Sequence, residues 1–284
     1  MTNLAILGPG LLGGSIALAA RARGLHRVAL WARRAEAVTE IEVRGVADRV
    51  SSDLRAIVSD ADLIVLCTPI GAMPALAREI VAAIPPGALI TDVGSVKAPV
   101  CAELGAIFRA RGRFVGSHPM AGSEQTGLAA ARADLFEGAV SIVTPDAQSD
   151  SAAVAAIREF WAALGCRVLE LAPQDHDEIV ALVSHFPHLL AATLIHTVAA
   201  ENARAFDFCG PGFRDSTRIA SSPPAMWAEI LGSNRDAVGR AAEAMIEKLR
   251  EIITLLDRDL PMNDFLTQAK AQRDRLWHPK PPHV

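Results

Sequence analysis

Three glycines, Gly8, Gly10 and Gly13, follow the apolar run Leu4–Leu7 and open an apolar helical pattern over Leu12–Arg23. That order restricts the fold more than any other feature of the chain. In a strand–turn–helix unit the first glycine permits a tight turn, the second lets backbone approach a pyrophosphate, and the third allows close helix–strand packing. The helix N-terminus then faces the phosphate charge. A glycine-rich turn of purely structural use is the alternative, but the position one strand from the N-terminus and the β-α-β spacing after it favour a dinucleotide site. Gly8, Gly10, Leu11, Leu12 and Gly13 would form it.

The first half continues in the same rhythm. Further strand patterns lie at Val28–Trp31, Leu63–Cys67, Leu89–Val93, Phe114–Val115, Val140–Val143 and Arg167–Leu171, with helical patterns such as Met73–Ala83 and Val154–Leu164 between them. Alternation of this kind predicts a parallel sheet covered by helices on both faces. The pattern changes near Ala172-Pro173, after which His176–Leu182, Phe186–Ala205, Pro224–Leu231 and Arg235–Leu260 all read as helix. The expected organisation is an α/β domain over residues 1–171 and an all-α domain over 172–284. The last helix is long enough to pack along a second subunit, and the proline-rich tail from Trp277 is expected to be loosely held.

Composition narrows the functional classes. The 284 residues are 51% hydrophobic and 21% charged, with a net charge of −4 and no basic block, which disfavours nucleic acid and anionic membrane as partners. Leu189–Ala200, the most apolar helical stretch, is interrupted by His196 and reads as too short for a membrane span. The N-terminus lacks a basic leader and reads as a strand, not a signal peptide. Four scattered cysteines without a CxxC pair fit reduced thiols and a cytoplasmic location. Tyrosine is absent, which excludes a Tyr-Lys dehydrogenase mechanism.

The end of the second strand bears on the cofactor. NAD sites usually carry an acid there, whereas this chain has Arg33 and Arg34 and no acid before Glu36. Two guanidiniums suit a 2′-phosphate, so NAD(P) is expected with a lean to NADP; a solvated arginine pair is the alternative. Thr68, Pro69 and Ile70 follow a later strand and should line the ribose or nicotinamide side. Ser95 would bond either His118 or the carboxamide, and Lys97 reads as a surface or capping residue, with direct catalysis the less favoured alternative. His118 lies in Gly116-Ser-His-Pro-Met-Ala-Gly122, read as a turn at the end of the apolar run Arg113–Val115. The carboxyl ends of such strands are where ligands bind, which makes His118 a candidate acid or base beside a nicotinamide.

The chain resembles the prephenate/arogenate dehydrogenases. The resemblance is carried by Gly8-Pro-Gly10-Leu-Leu-Gly13-Gly14-Ser15, Thr91-Asp-Val-Gly-Ser-Val-Lys97 and the His118 motif. It continues through Gln174-Asp-His-Asp177, Ser184-His-Phe-Pro-His188, Gly212-Phe-Arg-Asp-Ser-Thr-Arg-Ile219 and Pro224-Ala-Met-Trp227, spanning Leu4 to about Leu260. It implies a Rossmann-like domain followed by a helical domain that dimerises. The chain ends too early for the regulatory domain that some relatives carry. The implied reaction is oxidative decarboxylation of a cyclohexadienol, with prephenate the first expectation and arogenate or dual use the alternative.

By resemblance, His118 takes the hydroxyl proton and Ser95 fixes its orientation. Arg218 would grip a substrate carboxylate through a bidentate fork, unless it pairs structurally with Asp215 three residues away. His188 would face the substrate, with Ser123 and Asp215 nearby. Glu124 would pair with Arg218 and gate the site, or be a solvated loop acid; Trp227 would pack against the pocket, or fill core. No metal is expected, because His185 and His188 lack the spacing and the acid of a zinc site. His196 reads as a helix-packing residue. Two competing readings are a β-hydroxyacid dehydrogenase, disfavoured by the absence of lysine from the helix at 187–205, and a non-catalytic NADP-sensing module, which would need neither His118 nor Arg218.

Overall fold

The computed structural model describes residues 2–123 and 125–277. The chain packs as two compact units, one up to Val238 and one from Gly239. The first begins with β1 (Thr2–Leu7), α1 (Leu11–Ala22), β2 (His26–Trp31), α2 (Ala35–Arg44), β3 (Arg49–Ser51), α3 (Leu54–Val58), β4 (Leu63–Leu66), α4 (Met73–Ile80), β5 (Ala88–Asp92), α5 (Ala98–Phe108) and β6 (Gly112–Phe114). The six strands form one parallel sheet in the order β3-β2-β1-β4-β5-β6. Successive residues of β1 feed opposite layers: Leu4 and Ile6 join one apolar cluster, Ala5 and Leu7 the other. Burial on both faces explains why these strands read as unbroken apolar runs. Local signals set the helix ends: Asp53 accepts from the first turn of α3, and Gly45 closes α2 at φ 60°.

A second sheet follows, of β7 (Gly116–Pro119), β8 (Val140–Thr144) and β9 (Arg167–Glu170), with α6 (Ser151–Ala163) as the crossover between the last two. β7 runs antiparallel to β8, and β8 parallel to β9. This corrects one expectation: the segment that holds His118 is not a turn but an edge strand of a separate sheet. Its glycine and proline suggested a turn, yet an edge strand has one side with no ladder partner, where proline's missing N–H costs nothing.

Helices complete the unit. α7 (Pro173–Val180) runs through a π-helical turn (Ala181–His185) into α8 (Phe186–Asn202), followed by α9 (Pro211–Thr217) and α10 (Pro224–Ser233). The helical run Pro173–Phe208 is continuous over 36 residues and is long and apolar enough to cross a membrane. The stretch read as too short, Leu189–Ala200, is one part of that longer run. The first half of the run is committed to the protein interior, with His176, Asp177, Val180, Ala181, His185 and His188 all buried. His196, expected to pack, is exposed on α8.

α11 (Arg235–Asp257) enters the second unit, which also holds α12 (Asn263–Trp277). The α12 helix was not foreseen from the sequence. Along α11, Ile246, Leu249, Ile253 and Leu256 are exposed at spacings of three and four, an apolar stripe on one helix face. The tail expected to be loose, beyond Trp277, lies outside the described residues.

Candidate active site

The strand order reverses direction between β1 and β4, and the loops leaving these two strands lie side by side. Gly8 has φ 126°, and a Cβ there would stand 2.7 Å from the Cys67 carbonyl oxygen. A Cβ on Gly13 would stand 2.0 Å from the Gly8 carbonyl oxygen, whereas one on Gly10 would meet nothing within 4 Å. The outer two glycines are thus needed by the protein's own packing, and the middle one faces open space. Gly10 also precedes α1, whose first turn carries no acid. Leu11 and Leu12 are half-buried and pack on the core. Across the crevice, Thr68 is half-buried with its Oγ1 lacking any hydrogen-bond partner, Pro69 is exposed and Ile70 buried. An open cradle of backbone N–H groups beside an orphaned hydroxyl fits a dinucleotide. Arg33 and Arg34 are exposed just after β2, between that strand and α2.

The second cluster surrounds His118. Alternation along β7 sends Ser117 and His118 to opposite sides. Ser117 is fully buried: its Oγ donates to the Asp92 carbonyl oxygen at 2.6 Å and accepts from Trp161 Nε1 at 2.9 Å. Its N–H meets Asp92 Oδ1 at 3.2 Å. Lys97 Nζ binds Asp92 Oδ2 and donates to the Ser117 carbonyl oxygen at 2.9 Å. Lys97 is 0% exposed, so the surface placement expected from the sequence is wrong; it stands at the N-cap position of α5, its side chain turned to Asp92 and not to the helix end. The charge is tolerated because Asp92 lies against it.

On the other side, His118 Nδ1 lies 2.9 Å from His176 Nε2, and His176 Nδ1 lies 2.8 Å from Asp177 Oδ1. Asp177 also accepts the backbone N–H groups of Lys97 and Ala98 at 2.7 and 2.8 Å. The partner expected for His118 was Ser95. Ser95 is half-buried, but its hydroxyl makes no hydrogen bond among the described residues, and His176 holds the place instead. Sequence reasoning missed His176 and Asp177 as site residues, although both lie in a motif that carried the family resemblance. Burial pushes the His118 imidazole well below its usual range, and the neighbouring His176, Lys97 and His185 act in the same direction. His118 is therefore neutral at pH 7.

Asn234 donates to both the Asp177 carbonyl oxygen, at 2.8 Å, and His185 Nδ1, at 3.1 Å. Burial lowers the His185 pKa to about 4, against the opposing pull of Asp177. His188 is buried and Trp227 half-buried against it. Arg218 and Asp215 are exposed, at the start of a 3-10 turn and on α9 respectively. Ser123 is exposed and accepts from the Gln125 N–H at 3.1 Å. Glu124 lies outside the described residues. Among the described residues no group of three or more His, Cys, Asp or Glu is arranged to hold a metal.

Two family models match nearly end to end: the prephenate dehydrogenase nucleotide-binding domain over residues 16–170 and the prephenate dehydrogenase dimerization domain over 172–269. The chain belongs to the prephenate dehydrogenase family. Family membership sets aside the β-hydroxyacid dehydrogenase reading. Among curated members, the chain is 36% identical to the prephenate dehydrogenase of Bacillus subtilis, covering 96% of this chain and 76% of that one. It is 33% identical to the cyclohexadienyl dehydrogenase of Zymomonas mobilis, covering 95% and 94%. A solved family member, the prephenate dehydrogenase of Aquifex aeolicus in complex with hydroxyphenyl propionate and NAD+, superposes with a TM-score of 0.91 at 29% identity, covering 97% and 98%.

Proposed function

We propose that the protein oxidatively decarboxylates prephenate to 4-hydroxyphenylpyruvate with NAD(P) as oxidant, a step of tyrosine biosynthesis. Nucleotide binding is assigned to residues 1–171 and substrate binding and dimerisation to residues 172–284. The observation that carries the reading is a buried, neutral His118 on a strand edge, in a chain with an open glycine cradle at the end of β1.

The nicotinamide, when bound, supplies the acceptor for the hydride that leaves the ring carbinol. His118 Nδ1 is engaged by His176, so Nε2 is the nitrogen left to take the hydroxyl proton. As the ring carboxylate departs as CO₂, its bonding electrons complete the aromatic ring, and His118 returns the proton to the phenolic oxygen. Arg218 is assigned the grip on a substrate carboxylate, with Asp215 and Ser123 beside it. His188 and Trp227 are assigned to the substrate wall, and Ser95 to the carboxamide. A cation on the departing carboxylate is not expected, because it would stabilise the ground state more than a transition state in which that charge disperses.

Arg33 and Arg34 support a preference for NADP, through their exposure at the end of β2. The exposed stripe on α11 supports a homodimer. Four free thiols support a cytoplasmic location.

The test is reduction of NADP and of NAD by the purified protein, with prephenate and with arogenate. Turnover of prephenate is the expected result, faster with NADP. Faster turnover of arogenate would move the assignment to its alanyl analogue. No turnover of either acid with cofactor binding intact would favour a nucleotide sensor. His118→Asn should lower kcat by roughly 10²–10⁴-fold with cofactor affinity unchanged. Arg33→Asp should lower the NADP/NAD ratio of kcat/KM, and an unchanged ratio would remove the arginines from cofactor choice.

A further inference from the structure

The hydrogen bonds behind His118 can be followed proton by proton. The chain of donors begins at Asp177, whose carboxylate is an acceptor only. It is surrounded by three N–H groups: the backbone of Lys97 at 2.7 Å, the backbone of Ala98 at 2.8 Å, and His176 Nδ1 at 2.8 Å. The backbone pair belongs to the start of α5 and cannot rearrange without opening that helix. His176 is 0% exposed, and burial lowers its pKa, so it carries a single ring proton at neutral pH. Facing Asp177, that proton is on Nδ1. The lone pair of His176 is therefore on Nε2, pointing at His118 Nδ1 across 2.9 Å.

Two lone pairs do not share a 2.9 Å contact. His118 must place its own single proton on Nδ1, which leaves Nε2 bare. We propose that Asp177 and His176 are positioning residues that hold His118 in the Nδ1–H tautomer, with Nε2 as the proton acceptor. A carboxylate orients a catalytic histidine directly in other enzymes; here a second imidazole stands between the two. When His118 Nε2 takes the substrate's hydroxyl proton, the Nδ1–H bond to His176 strengthens, and the Asp177 carboxylate stabilises the charge through the intervening ring. The O–H bond breaks, the N–H bond forms, and the hydride goes to the oxidant already named.

The inference deepens the dehydrogenase reading and rests on it for its effect on rate, but the tautomer can be read without turnover. In protein with ¹⁵N-labelled histidine, the His118 ring nitrogens should report a protonated Nδ1 and a bare Nε2. A protonated Nε2 in the unaltered protein would overturn the proposal. His176→Leu removes the acceptor; it should lower kcat by about 10²-fold or more, leave KM and cofactor affinity near their starting values, and shift His118 toward the Nε2–H form. His176→Gln puts an amide oxygen where Nε2 stood, and should restore most of the lost kcat and the Nδ1–H signal. A leucine variant that binds cofactor and keeps its kcat would also overturn it. If the leucine variant fails to fold, the glutamine variant and the spectrum of the unaltered protein decide. Absence of turnover in the unaltered protein would sink the dehydrogenase reading, while the spectrum would still settle the tautomer.

Discussion

The imidazole of His188 lies flat against the indole of Trp227, with ring centroids 3.6 Å apart and planes 6° from parallel. His188 Nδ1 and Trp227 Nε1 are both buried without a partner. Unpaired polar edges on a rigid aromatic stack suit a ligand that supplies the missing groups. Trp227→Ala should therefore raise the substrate KM by about 10-fold, as expected for a lost stacked pair and its polar contact. Cofactor affinity should hold, as measured by titration of NADP. A matching loss of cofactor affinity would assign the tryptophan to the core.

Stability should fall on acidification. His118, His176, His185 and His188 all have lowered pKa values, with burial the leading cause in each, and His185 reaches about 4. The unfolded chain takes up protons near the ordinary value of 6.5, while the folded chain refuses them. The stabilisation is thus complete above pH 6.5 and is lost as pH falls toward the folded values. Between pH 7 and pH 5 this amounts to about 1–2 kcal/mol for His185, and His118 contributes in the same direction. Urea unfolding at the two pH values measures it, and equal stability would contradict the burial of neutral imidazoles. By the same sign, kcat should stay flat from pH 8 down through 6.5.

Gly13 and Gly10 should respond differently to one methyl group. Gly13→Ala drives a Cβ into the Gly8 carbonyl oxygen, which is backbone, and should cost about 1–3 kcal/mol of stability or more. Gly10→Ala meets no protein atom within 4 Å. It should leave the melting temperature nearly unchanged and weaken cofactor binding. A Gly10→Ala protein with full cofactor affinity would place the pyrophosphate elsewhere.

Lys97→Met would leave the Asp92 carboxylate buried beside an apolar chain. The expected loss is about 3–5 kcal/mol. Adding Asp92→Asn should recover part of it, because the amide needs no counter-charge. Chemical denaturation of the three variants gives the coupling, and additive losses would show that the two side chains do not depend on each other.

Much of this was legible in the residues, and the exceptions have physical causes. The parallel sheet could be read because strands buried on both faces are apolar at every position. The Gly8 to Gly13 spacing could be read because each glycine answers a separate steric demand. β7 was misread because Gly116 and Pro119 are turn formers in isolation, and only a neighbouring β8 makes an edge strand of them. Lys97 was misread because a lysine is rarely fully buried without a partner. That partner, Asp92, lies five residues back across a bend, at no helical spacing. His176 carries no local mark of its role, since its ring meets His118 from 58 residues away. Nothing local marks such a pairing.

Asp177 accepts the first two backbone N–H groups at the start of α5, so α7 is latched to the sheet that carries the cofactor cradle. Swinging α7 away would strand both donors in the interior. The helix that orients the base therefore travels with the nucleotide frame, as part of one rigid chassis. Any movement that admits or seals in a substrate must be borne by segments farther along the chain, and damage to the first turn of α5 would surface as a misaimed histidine long before it loosened the fold.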